Sequence, residues 1–209
     1  HGGAIIGADN EINGVTFGGV GSGTMVEYCE VAFNADDGFE FFGGTVNAKY
    51  LSVLFGADDS FDTDQGYVGT LQYLFTMMGT QGDHPGEIDS GSGGDHNQQP
   101  RSMPNFYSFT AIGGGSLNVE GGEMFHLSDG TGGQFANIIS VNPQSNGINF
   151  DDCGTGLTIT QTAPAGANHR DCRAWRAGWG CLPWAAERWP CSSQCPPAPH
   201  AAVERPRRR

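Results

Sequence analysis

The sequence predicts an all-β solenoid of about six coils, and three observations support this prediction. A short apolar–polar–apolar phrase recurs along the chain, turns rich in Gly and Asp separate the phrases, and 34 of the 209 residues are glycine. Recurrence at near-constant spacing indicates repeated supersecondary units. The central residues of the phrase are Thr16, Glu40, Asp62, Glu87, Glu123 and Asn149, which lie 24, 22, 25, 36 and 26 positions apart.

Each coil is expected to contain two strands. In the clearest coil, Asp37 and Gly38 form a turn, residues 39–41 alternate between apolar and polar, and residues 50–55 form a second strand. The other first strands are predicted at residues 15–17, 61–63, 86–88, 122–124 and 148–150, and the other second strands at 29–33, 106–112 and 135–141. The long interval between Glu87 and Glu123 contains an insertion, residues 90–104.

The first 166 residues are strongly acidic. They contain 20 Asp and Glu residues but only Lys49 and Arg101 as basic residues, which gives a net charge of about −18 (2 − 20). This charge disfavours nucleic acid as a partner, because binding phosphate needs Lys and Arg. It favours cations or a cation-bridged anionic ligand. No apolar run approaches the length of about 18 residues that predicts a membrane span.

We divide the chain into a repetitive domain, residues 1–166, and an irregular tail rich in Cys, Trp, Arg and Pro, residues 167–209. One hypothesis is that the tail is foreign or out-of-frame sequence, since GC-rich codons give such residues in a wrong frame. Disulfides or a lack of defined structure explain its cysteines better than zinc does. Because the chain opens within a repeat at His1, we interpret it as a fragment. We expect a secreted, extracellular protein, with its leader assumed rather than seen.

Two segments carry a family resemblance. Residues 34–47 (NADDGFEFFGGTVN) and residues 58–67 (DDSFDTDQGY) resemble a phrase of secreted bacterial β-helix proteins. The wider resemblance is to right-handed parallel β-helices of the pectin-lyase-like superfamily, and it covers roughly residues 10–165. It implies that the solenoid is a right-handed parallel β-helix. It also implies activity on acidic polysaccharides, which enzymes of this fold commonly cleave.

The central residues of the phrase are expected to form a column on one outer face. If Phe39 and Phe41 point inward, Glu40 points outward, because side chains alternate along a strand. Stacking then places successive central residues about 4.8 Å apart. A second acidic row is expected in the turns, where residues 36–37 stack near 58–59 and then 83–84. Like charges this close raise one another's pKa, so the face needs protons, bound cations or a substrate.

The acidic rows predict a calcium site, because calcium prefers several carboxylate and carbonyl oxygens. The candidate ligands are Asp36, Asp37, Glu40, Asp58, Asp62, Glu87, Asp89 and Glu123. For the paired aspartates, ordinary turn chemistry is the alternative explanation. His84, His96 and His126 offer transition-metal ligands, but their spacing matches no metal motif, so solvated loop histidines are the preferred interpretation.

Paired carboxylates also predict a glycoside hydrolase. A retaining enzyme needs two carboxyl groups about 5 Å apart and an inverting enzyme about 6.5–9.5 Å apart, and neighbouring rungs of the column give about these separations. Asp62 and Glu87 are the candidate acid–base pair, with Asp59 or Asp64 assisting. The superfamily resemblance also suggests a polysaccharide lyase, for which the acidic body supplies few Arg or Lys bases, or a pectin-esterase-like enzyme.

The insertion at residues 90–104 is expected to wall a saccharide groove, because insertions in solenoids map to loops that often bind ligands. The candidate substrate-binding residues are Tyr67, Gln72, His84 and Arg101. For Tyr67, the alternative to a role in binding the saccharide is a half-buried position in a strand. The sequence therefore predicts a protein that binds calcium and a polysaccharide or cell-surface glycan, with hydrolysis as its candidate activity. The alternative is a non-catalytic surface or adhesion module in which calcium only rigidifies the solenoid.

Overall fold

The computed structural model describes residues 3–4, 6–7, 12–91, 96–119 and 122–150, together with the backbone of residues 175–178. The described strands form two parallel sheets of six strands each. Successive strands alternate between the two sheets, so each coil contributes one strand to each sheet. This is a right-handed parallel β-helix of six coils, and it confirms the fold class that the sequence predicts.

One sheet, which we call the odd sheet, contains short strands in the order β1-β3-β5-β7-β9-β11. Its strands are β1 (Val15–Gly18), β3 (Phe39–Phe42), β5 (Phe61–Asp64), β7 (Gly86–Ile88), β9 (Phe125–Leu127) and β11 (Asn149–Phe150). Each neighbouring pair is parallel. The outer face of this sheet carries the acidic column.

The other sheet, the even sheet, contains longer strands in the order β12-β10-β8-β6-β4-β2. Its strands are β2 (Met25–Ala32), β4 (Asn47–Leu54), β6 (Thr70–Met77), β8 (Asn105–Ile112), β10 (Gly133–Val141) and β12 (Trp175–Gly178). β12 falls within the predicted tail and pairs with β10. Residues 151–174 and 179–209 lie outside the described residues, so the boundary at residue 166 stays a prediction.

The part of the chain that the structure describes contains one short helix, a 3-10 turn at Gly115–Leu117. No helix among these residues has the length and apolar character that crossing a bilayer requires.

Alternation along the odd strands builds the core. Phe39 and Phe41 of β3 are fully buried, whereas Glu40 between them points to the outer face. Inward aromatic rings then stack from coil to coil, as between Phe39 and Phe61, whose ring centroids lie 5.7 Å apart. Phe17 stacks on Phe41 in the same way at 4.7 Å. Burial of these rings is the main source of stability, and it fixes which side chains face outward.

Five of the even strands bend at one residue with left-handed backbone geometry. These residues are Tyr28, Tyr50, Tyr73, Ser108 and Asn137, with φ between 56° and 62°. A left-handed residue turns the strand, so each of these even strands changes direction at that residue. The three tyrosines stack on one another, with centroids 4.6 and 4.9 Å apart.

Candidate functional site

Parallel pairing in the odd sheet builds a column of polar side chains on its outer face. The pairs in register are Thr16 with Glu40, Glu40 with Asp62, Asp62 with Glu87, Glu87 with His126, and His126 with Asn149. Partners in neighbouring parallel strands lie about 4.8 Å apart. The middle of the column therefore presents three carboxylates followed by an imidazole.

The prediction that Glu123 occupies the fourth acidic rung is wrong. β9 spans Phe125–Leu127 and places His126 opposite Glu87. Phe125 and Leu127 are 1% and 3% exposed, so they supply the two inward side chains of this coil. Glu123 precedes the strand, and its Oε2 lies 3.5 Å from Nε2 of His84.

A second row runs through the turns that precede the odd strands. The backbone N–H of Asp59 donates a hydrogen bond to Oδ1 of Asp37 at 3.1 Å. The backbone N–H of His84 donates in turn to Oδ1 of Asp59 at 2.6 Å. Asp37 and Asp59 thus each accept a bond from the turn of the next coil, and these bonds join Asp37, Asp59 and His84 into one row.

The two rows meet in a cluster of three carboxylates, Asp37, Glu40 and Asp62. One oxygen from each lies within 4.8 Å of the others. Asp37 and Glu40 are only 7% and 8% exposed. Oδ1 of Asp62 is buried and lacks a hydrogen-bond partner among the described residues. We call this group the carboxylate cluster. Asp36 and Asp58 extend it, since they form a second group with Asp37 within the same distance.

Burial and mutual repulsion raise the pKa values of the carboxylate cluster. Burial, followed by the charge of Glu40, raises the pKa of Asp37 to about 9. Burial and the charge of Asp36 raise the pKa of Glu40 to about 7, although a hydrogen bond with Asp62 opposes the rise. Burial and the charges of Asp37 and Glu87 raise the pKa of Asp62 well above its usual range. Near neutral pH the cluster therefore holds protons unless a cation replaces them.

A different group surrounds the next rung. Oε1 of Glu87 lies 3.0 Å from Nδ1 of His126. His84, in the turn row, lies with its ring centroid 5.2 Å from that of His126. Burial would raise the pKa of Glu87, but hydrogen bonds from His126 and Asp59 outweigh it and lower the pKa to about 2. Asp59 shows the opposite shift, since burial and the charge of Glu87 raise its pKa well above the usual range.

A third row lies at the carboxyl ends of the odd strands. Asp64 is the last residue of β5, and Asp89 directly follows β7. The hydroxyl of Ser128 donates to Oδ1 of Asp89 at 2.6 Å. Burial and the charge of Glu87 nevertheless raise the pKa of Asp89 to about 7. The outer face is thus acidic across its width, although Asp64 and Asp89 do not belong to the carboxylate cluster.

Two of the predicted substrate-binding residues lie away from the column. Tyr67 is fully buried, and its hydroxyl donates to the backbone oxygen of Val46 at 2.7 Å, so it is a core residue and the prediction that it contacts a ligand is wrong. Gln72 lies on the even sheet and lines a shallow cavity there with Glu27 and Lys49. Lys49 forms an ion pair with Glu27 at 3.1 Å on that sheet.

The other two predicted residues lie nearer to the acidic face. His84 is in the turn row with a side chain only 8% exposed. Arg101, in the insertion, donates to the backbone oxygen of Gly130, two residues beyond Ser128. His96 of the same insertion lies 2.6 Å from Asp129. The described part of the insertion therefore packs against the turn that follows β9, at the carboxyl end of that strand.

Replacing Tyr67 by phenylalanine tests its placement in the core. We expect the free energy of unfolding to fall by about 1–3 kcal/mol, because the carbonyl of Val46 loses its buried donor. Chemical denaturation measures this loss. Stability equal to that of the wild type would contradict a buried hydrogen bond between Tyr67 and Val46.

The two parallel sheets and the repeated coils fit a β-helix protein of the pectin-lyase-like superfamily. The chain matches the family model described as "Pectate-lyase like beta helix domain" over residues 1–179 and belongs to that family. Searches of curated proteins and of solved structures returned no match. The family supports a polysaccharide-related role in general.

Proposed function

We propose that this protein is a secreted β-helix protein that binds calcium in the carboxylate cluster and, through that ion, an acidic polysaccharide. The observation that carries the proposal is the cluster itself, in which Asp37, Glu40 and Asp62 bring oxygens within 4.8 Å of one another. Buried like charges are unstable without a counter-ion. A bound cation would offset this repulsion.

The donor set fits calcium better than other common ions. All three side chains offer oxygen, the ligand atom that calcium prefers, and neighbouring Asp36 and Asp58 offer more. The unpartnered Oδ1 of Asp62 is a buried acceptor that a cation would satisfy. When bound, calcium would supply positive charge on a face that otherwise repels uronate carboxylates. Asp37, Glu40 and Asp62 would hold the calcium ion. Without that ion, the wider acidic face would repel an anionic polysaccharide.

The experiment compares two forms of one polysaccharide. We expect polygalacturonate to bind in the presence of calcium and to be released by a chelator, and its fully methyl-esterified form to bind much more weakly because it lacks carboxylates. Isothermal titration calorimetry measures both. Glu40→Gln should abolish binding, whereas Glu30→Gln, which removes an exposed charge on the even sheet, should not. Binding that survives the chelator would refute the proposal.

Hydrolysis is a second candidate function, favoured by one specific observation. Asp62 and Glu87 are in register on adjacent rungs, and their pKa values shift in opposite directions. A protonated acid beside an ionised carboxylate at about 5 Å is the arrangement of a retaining glycosidase. Asp62 would donate its proton to the leaving oxygen while Glu87 attacks the anomeric carbon, and water would later release the sugar.

The two candidates make opposite predictions about calcium, because Asp62 takes part in both. As a calcium ligand it must be ionised, but as the acid it must be protonated. If the protein releases reducing ends from polygalacturonate, and calcium suppresses that release, hydrolysis is favoured. Binding that needs calcium, with no release of reducing ends, would favour calcium-mediated binding without hydrolysis.

A further inference from the structure

A separate group of possible metal ligands lies one rung above the carboxylate cluster. His84, Glu87 and His126 each bring one donor atom within 4.8 Å of the other two. They come from three places in two coils: the turn before β7, β7 itself, and β9. Their side chains are 8%, 30% and 24% exposed, so the group is partly shielded but still open to an ion from solvent.

Hydrogen bonds around His84 orient it as a metal ligand. Its Nδ1 lies 3.0 Å from Oδ1 of Asp59, a side chain only 4% exposed, and the same oxygen accepts the backbone N–H of His84. A histidine that binds a metal through one ring nitrogen commonly donates the other N–H to a carboxylate, which fixes the tautomer. The contact with Asp59 leaves Nε2 of His84 available for a metal.

Two further carboxylate oxygens lie near Nε2 of His84. Oε2 of Glu123 is 3.5 Å from Nε2 of His84, and Oδ1 of Asp83 is 3.4 Å from it. Both side chains are partly exposed, at 21% and 45%, so small rotations would bring either one to a metal at this nitrogen. The site can therefore supply a fourth ligand from the protein or leave that position to water.

The ligand types separate this group from the carboxylate cluster. The cluster offers oxygen only, which suits calcium, whereas two imidazoles and one carboxylate suit zinc and related transition metals. Zinc sites commonly combine histidine nitrogens at about 2.0–2.1 Å with carboxylate oxygens. The acidic column changes its ligand chemistry at His126, the residue that stands where a glutamate was expected.

We propose that His84, Glu87 and His126 form a binding site for a transition-metal dication such as Zn²⁺, with Asp59 as the outer residue that orients His84. The site is distinct from the carboxylate cluster and does not depend on calcium or polysaccharide binding. Since Glu87 is a ligand, a bound metal ion would also occupy the carboxylate that the hydrolytic mechanism needs.

The test uses Zn²⁺ and Co²⁺ as probes of the full chain after treatment with a chelator. We expect calorimetry to detect binding of Zn²⁺, and His126→Gln to weaken it by at least about 10-fold, the low end of the loss that is typical when outer partners of metal sites are removed. His96→Gln is the matched control, because His96 pairs with Asp129 outside the group, and it should leave the affinity unchanged.

Cobalt distinguishes this site from the cysteines of residues 167–209. Histidine and carboxylate ligands give Co²⁺ weak visible bands, whereas thiolates add a strong near-ultraviolet band, which we expect to be absent at the first equivalent. Three results would overturn the proposal: no uptake of Zn²⁺ at about 100 μM, equal affinity in wild type and His126→Gln, or a thiolate spectrum at the first equivalent. The wild-type spectrum can still overturn the proposal if the variant fails to fold.

Discussion

Asp62→Asn is expected to abolish stabilisation by calcium while making the calcium-free protein more stable at alkaline pH. The asparagine keeps the size of the side chain but removes a charge that burial, Asp37 and Glu87 all disfavour. Without that charge the neighbouring carboxylates repel less, so the calcium-free fold gains stability. The same change removes a charged ligand, and calcium affinity should fall at least about 100-fold, the upper end of what outer-shell partners contribute.

Thermal unfolding with and without calcium measures both effects of Asp62→Asn. Glu30→Gln, an exposed change on the even sheet, is the matched control and should behave like wild type in both conditions. A variant that is less stable than wild type without calcium, yet is still stabilised by calcium, would show that Asp62 is not part of an ion site.

Calcium is expected to stabilise the wild-type protein far more at about pH 8 than at about pH 5. The pKa of Glu40 is raised to about 7 and that of Asp37 to about 9, so the folded state binds more protons than the unfolded state between about pH 4 and about pH 9. Their stabilising contribution is complete below about pH 4 and is lost as pH rises through about 7 and then about 9. Glu87, with its pKa lowered to about 2, contributes in the opposite sense and loses its contribution only in strong acid.

Calcium restores the stability that is lost at alkaline pH, because it binds the ionised carboxylates. At a free concentration about 100 times its dissociation constant, calcium adds about 2.7 kcal/mol. For a chain of this size that raises Tm by about 5–10 °C. Calorimetric scans at the two pH values, with magnesium as the control ion, measure the difference. An equal shift at both pH values, or calcium-free stability that rises between them, would contradict the proposed protonation of the cluster.

The sequence predicts the coil accurately where the apolar residues alternate with a polar one. The rungs at Glu40, Asp62 and Glu87 follow from Phe39, Phe41, Phe61 and Ile88, because burying these side chains forces the residue between them outward. The same logic fails after the insertion. Its length leaves the next rung open to more than one register, and a search for a central carboxylate selects Glu123 rather than His126.

The signal for His126 is present in the sequence. The phrase Phe125-His126-Leu127 has large apolar residues on both sides, whereas Gly122 beside Glu123 contributes no side chain to the core. The correct register follows when the size of the two inward-facing side chains counts for more than the charge of the residue between them. The prediction for Tyr67 is wrong for a different reason. The repeat places this residue after the strand, where its direction is not set by alternation. Its packing against Phe41, with ring centroids 4.9 Å apart, shows that it turns inward.

The sequence does not predict that the side chains of the turn row lie against those of the column. Asp37 and Asp59 lie directly before Gly38 and Ser60, where turn chemistry alone explains an aspartate. Whether such a side chain points to solvent or toward Glu40 depends on how each turn hydrogen-bonds to the next coil, as in the bond from Asp59 to Asp37. Contacts of this kind are set by stacking rather than by local sequence.

A crystal structure of the protein grown with calcium tests the central claim most directly. We expect one ion on the outer face of the odd sheet, about 2.3–2.6 Å from carboxylate oxygens of Asp37, Glu40 and Asp62. A structure with calcium present in which these three side chains touch only one another, or in which the ion lies elsewhere on the chain, would contradict the account.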